Sequence, residues 1–210
     1  MKKIFFSVLT VSAFVFAACN NSGNKNEPKA HDMNSMNKDT AQPVATADDK
    51  NMKAVAVTYT TVDAKAAASI KEIVGHYLHV KNALSKDKGN EAASGAKAMR
   101  EVIGKFDKSL LTAEQKKVYD GIEEDLTEHA EHIGKNGDKI EHQRYHFSMM
   151  SEDVYELVKA FGAGEPIYHD HCPMYDEGKG AMWLSEMKEV KNPYFGAKMP
   201  GCGTVEEIIK

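Results

Sequence analysis

From Asp63 onward, apolar residues recur at the spacing of one face of a helix. Ile70, Ile73, Val74, Tyr77, Leu78 and Leu84 form the first such stripe, and the polar run SKDKGN ends it. A second helix is predicted over about 90–107 from EAASGAKAMREVIGKF, where Ala92, Ala93 and Ala96 allow close approach to a neighbour. Two capping boxes open later helices, Thr112 to Gln115 and Asp138 to Glu141, the latter with Asp in place of Ser or Thr. Val118, Ile122, Leu126 and Ile133 stripe the third helix. Ile140, Phe147, Met150, Val154, Val158 and Phe161 stripe the fourth, which Gly162 and Gly164 end. Short connections between amphipathic helices predict an all-α fold, an up-and-down four-helix bundle over 59–164.

After Gly164 that period vanishes. Pro166, Pro173, Pro193 and Pro200 punctuate a Gly-rich stretch. GKGAMWLSEM suggests one or two helical turns and KNPYFGAKMPGCG suggests turns. Residues 165–210 therefore read as an irregular, turn-rich tail of the same domain, in need of an anchor. The bundle surface, a disulfide or a metal would each serve.

The N-terminal end sets an expected compartment. Lys2 and Lys3 precede an apolar run from Ile4 to Phe16, then Ala17-Ala18-Cys19. A basic start, a short apolar run and small residues before a cut make a secretory leader. The small-small-Cys ending resembles a bacterial lipobox, which implies a lipoprotein signal peptide over 1–18 and a lipid on Cys19. Residues 19–58 are polar and without apolar period, and read as a flexible tether. The tether carries His31, Met33 and Met36, which could hold a soft metal weakly, though the polar composition of the tether is the simpler account of them. Formal net charge is −4, and shedding Lys2 and Lys3 makes it −6. No basic cluster invites nucleic acid.

Lipidation of Cys19 leaves Cys172 and Cys202, and two thiols in an oxidising compartment pair unless metal takes them. Around them sits the densest candidate chemistry. YHDHCPM brings His169, His171, Cys172 and Met174 into seven positions, and MPGC adds Met199 and Cys202. Thiolate with thioether favours Cu(I). A Cys172–Cys202 disulfide would consume both thiols and leave only His and Met, so the residues alone leave metal and disulfide open.

The helical histidines come in pairs. His79 of the pair His76/His79 falls opposite the apolar stripe and reads as exposed. His129 of the pair His129/His132 falls within its stripe and reads as a buried, hydrogen-bonded side chain. His142 and His146 are one turn apart, but His142 points away from the core stripe. His146 with Met150, one turn beyond, is therefore the better ligand pair on that helix.

Enzyme signatures are missing: there is no C-x-x-C-H, no Glu-x-x-His step of di-iron bundles, no nucleophile elbow, no P-loop and no H-E-x-x-H. A non-catalytic protein is expected. A redox pair at Cys172 and Cys202 lacks the C-x-x-C framework.

Glu141-His-Gln-Arg-Tyr-His-Phe147 with Met150-Ser151, then His171-Cys-Pro-Met174, Gly180-Ala-Met-Trp-Leu-Ser185, Asn192-Pro-Tyr-Phe-Gly196 and Met199 to Gly203 carry a resemblance. From about residue 63 to its end the chain resembles a bacterial domain family of unknown function. That family occurs in Bacteroidota-type envelope lipoproteins and as a C-terminal extension of CusB-like adaptors of heavy-metal efflux. The resemblance implies a periplasmic role in copper or related metal handling; with a lipid on Cys19, the expected location is the periplasmic face of the outer membrane. The expected site is a copper centre of Cys172, Met174, Cys202 and Met199, completed by His146, His169 or His171. Its expected role is to sequester copper or pass it to an efflux adaptor. The alternative is an interaction module of that adaptor, stapled by Cys172 and Cys202 and holding no metal.

Overall fold

The computed structural model describes residues 52–210. The leader, Cys19 and most of the expected tether lie outside the described residues. The elements in order are β1 (Lys53–Val55), α1 (Ala64–Leu84), α2 (Gly89–Gly104), α3 (Ala113–Asp120), α4 (Glu123–Lys135), α5 (Ile140–Phe161), β2 (Ile167–Cys172), β3 (Ala181–Ser185) and β4 (Thr204–Ile209). Among the described residues no helix is long and apolar enough to cross a membrane.

The chain is mostly helical. α1 starts where Asp63 accepts from the backbone N–H groups of Lys65 and Ala66, satisfying donors that a helix start leaves bare. Four long helices close a ring in which α1 packs on α2, α2 on α4, α4 on α5 and α5 back on α1. The small stripe does what its size allows: Ala92, Ala93 and Ala96 are buried. An added Cβ on Gly95 would sit 3.2 Å from Val80, so α1 and α2 are already in close contact there.

Two helix expectations change. The third helix is two, because the chain turns at Gly121 and Ile122 between α3 and α4; glycine is a poor helix residue and lets the axis break there. The Thr112–Gln115 capping box forms, but Asp138 caps nothing. α5 begins at Ile140 after an uncapped Lys139, and Glu141 turns forward to pair with Arg144.

The all-α expectation needs a larger correction. Residues 165–210 contribute three strands, and with β1 they make one four-stranded sheet in the order β1-β4-β2-β3. β1 runs parallel to β4, and β2 runs antiparallel to both β4 and β3. β1 falls inside the 19–58 stretch expected as tether. AMWLS, expected as helical turns, is β3. Its register with β2 sets Trp183 opposite Asp170, and this pairing overrides the helical preference of Ala, Met and Leu.

The sheet is not a separate layer with its own core. Trp183, Leu184, Ile167 and Ile209 join the helical residues in one buried cluster. Polar ties lock the two parts together. The Tyr77 hydroxyl of α1 accepts from the Leu184 backbone N–H at 2.9 Å and pairs with Ser151 of α5 at 2.8 Å. Lys81, fully buried, reaches Ser185 and Glu186. Arg144 of α5 donates to the carbonyls of Leu84 and Pro193.

Candidate metal centre

α4 and α5 are joined by a short turn, so residues at similar distances from it face one another across the antiparallel pair. That symmetry brings His132 of α4 opposite His142 and His146 of α5. Ligand atoms of these three imidazoles all lie within 4.8 Å of one another. The His132 and His146 rings stack with centroids 4.0 Å apart, and His142 meets His146 edge-on at 4.6 Å. A fourth ring completes the group from below, with His129 Nδ1 3.3 Å from His146 Nδ1.

Burial grades across the cluster. His146 is only 7 % exposed, whereas the His132 side chain keeps 42 % of its surface and lies 3.8 Å from Glu128. Desolvation, with His132, His142 and His129 crowding it, pushes the His146 imidazole down to about 4. His129 is lowered as well, chiefly by burial. Both rings are thus neutral at ordinary pH, which is the metal-ligating form. In the tautomer in which His146 Nδ1–H donates to His129 Nδ1, His146 Nε2 keeps the lone pair that a metal needs. A hydrogen-bond partner on the other ring nitrogen fixes the orientation of a ligating histidine.

Farther along the same interface is an acidic patch. Burial, with Asp125 and Glu152 nearby, raises Asp153 to about 7, and its Oδ2 is buried without a hydrogen-bond partner.

The residues expected to form one copper centre do not gather in one place. His146 belongs to the histidine cluster, but Met150 points into the helical core and is fully buried. His169 and His171 face β4, where His169 Nδ1 is 3.9 Å from Glu206 and from Glu207 and His171 Nδ1 is 3.6 Å from Glu206. The His169 ring also lies against Tyr155. Cys172 is buried in the core, its Sγ 3.1 Å from that of Cys202. Met174 is 55 % exposed. Met199 is half-buried in the turn whose carbonyl accepts from the Cys202 N–H. The reason is the strand: successive side chains of β2 leave opposite faces, so compact spacing in YHDHCPM does not converge.

His132 and His142 were missed as ligands because each was weighed on its own helix. Pairing H-x-x-H with H-x-x-x-H across a short helical hairpin is the signal that finds them.

Residues 73–166 match the model of a protein family of unknown function, DUF3347. The match includes all four histidines of the cluster, while Cys172 and Cys202 lie beyond it. No curated protein and no solved structure matches the chain.

Proposed function

We propose that this is a metal-binding protein that holds its cation between α4 and α5, on His132, His142 and His146. The observation that carries the reading is the convergence of three imidazoles, from two helices, within 4.8 Å. Three histidines, the His132 side chain being 42 % exposed, fit an exchangeable site better than the closed four-ligand sites that serve structure. The role is binding and transfer, not catalysis.

Copper is the proposed cargo, supported by the likeness to extensions of CusB-like efflux adaptors. An all-imidazole set suits Cu(II) and Zn(II) better than the Cu(I) that thiolate and thioether would favour. Lipidated at Cys19 and tethered in the envelope, the domain would sequester the ion or pass it by ligand exchange to an efflux adaptor.

The test is a competitive titration of the purified full-length chain with Cu(II) and with Zn(II), beside a His132→Ala, His142→Ala, His146→Ala variant. Loss of tight binding in the variant, with nitrogen couplings in the Cu(II) electron paramagnetic resonance spectrum of the parent, supports the reading. Equal affinity of the two chains overturns it.

A further inference from the structure

The two tail cysteines stand apart from the histidine cluster, and their surroundings ask a separate question. Cys172 ends β2 in the core, and Cys202 lies in the turn that leads into β4. That turn is built to deliver it. Asn192, fully buried, donates to the Cys202 carbonyl at 2.6 Å and accepts from the Tyr194 and Phe195 N–H groups, while its own N–H donates to Pro200. Gly203, at φ +142, carries no Cβ where one would stand 2.7 Å from the Trp183 ring and 3.0 Å from the His171 carbonyl. β2 and β4 are in register at His171 and Thr204, so the cysteines sit at the adjoining end of one antiparallel pair.

Their separation favours covalent over metal chemistry. Two thiolates on a tetrahedral zinc, at bonds of about 2.3 Å, stand roughly 3.8 Å apart, and a linear Cu(I) pair stands farther still. At 3.1 Å the sulfurs are closer than a shared ion permits. Neither tail histidine is turned toward them, since both face the glutamates of β4. Burial and the neighbouring Cys172 push the Cys202 thiol up to about 11. That is the reverse of a thiol tuned to rest as a thiolate ligand or nucleophile.

We propose that Cys172 and Cys202 form a disulfide that staples the end of β2 to the entry of β4 and binds no metal. The step is an exchange with an external disulfide of the R–S–S–R class. One thiol, as thiolate, attacks it and releases R–S⁻, giving a mixed disulfide. The second thiol then loses its proton, attacks the first cysteine's sulfur and releases a second R–S⁻. Two protein thiols are oxidised, one external disulfide is reduced to two R–SH, and one S–S bond replaces another. This staple is independent of the histidine site, and either can fail alone.

The experiment uses the full-length chain equilibrated with oxidised glutathione, then acid-quenched, denatured and alkylated. The expected result is a mass lower than the reduced chain by two hydrogens, no label on Cys172 or Cys202, and a linked peptide pair containing both. Protection must survive a chelator and disappear with a reductant. Two labelled cysteines, a link from either one to Cys19, or protection lost to the chelator would each overturn the proposal.

Discussion

His129 Nδ1 lies 3.3 Å from His146 Nδ1, beneath the ring that completes the three-histidine group. It is placed to orient His146 without being one of the three convergent ligands. Removing such a partner from a metal-ligating histidine costs about 10–100-fold in affinity. His129→Ala should therefore weaken Cu(II) or Zn(II) binding by that factor while leaving the stoichiometry at one. A competitive chelator titration measures both. Unchanged affinity would remove His129 from the site.

Tyr77 joins three elements through one oxygen, taking the Leu184 N–H and meeting Ser151. Tyr77→Phe keeps the ring stacked on Phe147 but leaves a buried backbone N–H without its acceptor. Such an orphan costs about 1–3 kcal/mol. The denaturant midpoint should fall accordingly, with helical circular dichroism before the transition unchanged.

How much of this was legible beforehand follows from the range of each interaction. The stripes of α1 and α5 are local patterns, and Ile70, Tyr77, Phe147 and Val154 sit in the core as their spacing requires. The Gly121 break and the sheet were not legible. β2 carries Tyr168, His169, Asp170 and His171, a polar run that becomes a strand because β3 and β4 flank it. β1 is three residues paired with β4 across most of the chain. The histidine cluster was half legible: both helical pairs were visible, but their meeting depends on how two helices face each other. Distance in the sequence hid the pairings, while weak signals hid the strands.

Asp170 gives a pH dependence with a definite sign. It is fully buried, neither carboxyl oxygen has a partner, and the Trp183 indole N–H opposite it is also unpartnered. Burial raises it to about 8, Lys81 opposes that rise and Glu206 adds to it. The unfolded chain releases this proton near pH 4, the folded one only near 8, so the native state loses stability as pH rises between them. Over that window Asp170→Asn should flatten the slope, by up to about 3–4 kcal/mol between pH 5 and 8. Denaturant unfolding of both chains at the two pH values checks it. Parallel slopes would mean that Asp170 ionises freely in the fold.

Gly203 tests how tightly the Trp183 ring closes the Cys202 turn. A methyl there meets both the indole and the His171 carbonyl, and neither is the free end of a flexible chain. Overpacking of this kind costs about 1–3 kcal/mol, and the positive φ adds strain. Gly203→Ala should lower the melting temperature and slow formation of the Cys172–Cys202 bond in oxidised glutathione. A variant of normal stability would show that the turn can shift away from Trp183.

The staple itself should be worth more than any of these single contacts. Its cysteines are 30 positions apart, and a loop of that length closed in the unfolded chain removes about 3–4 kcal/mol of conformational freedom. Most of the tail lies inside the loop, including β3, Trp183 and Tyr194, whose ring packs against both Trp183 and Phe147. The oxidised chain should therefore unfold at higher denaturant than the reduced chain, which keeps the same buried side chains. Hydrogen exchange should locate the difference in β2 to β4 more than in α2 and α4, because the helices hold their own core contacts without the tail. Equal protection of the sheet in both redox states would mean that Tyr77, Lys81 and Arg144 already anchor it fully.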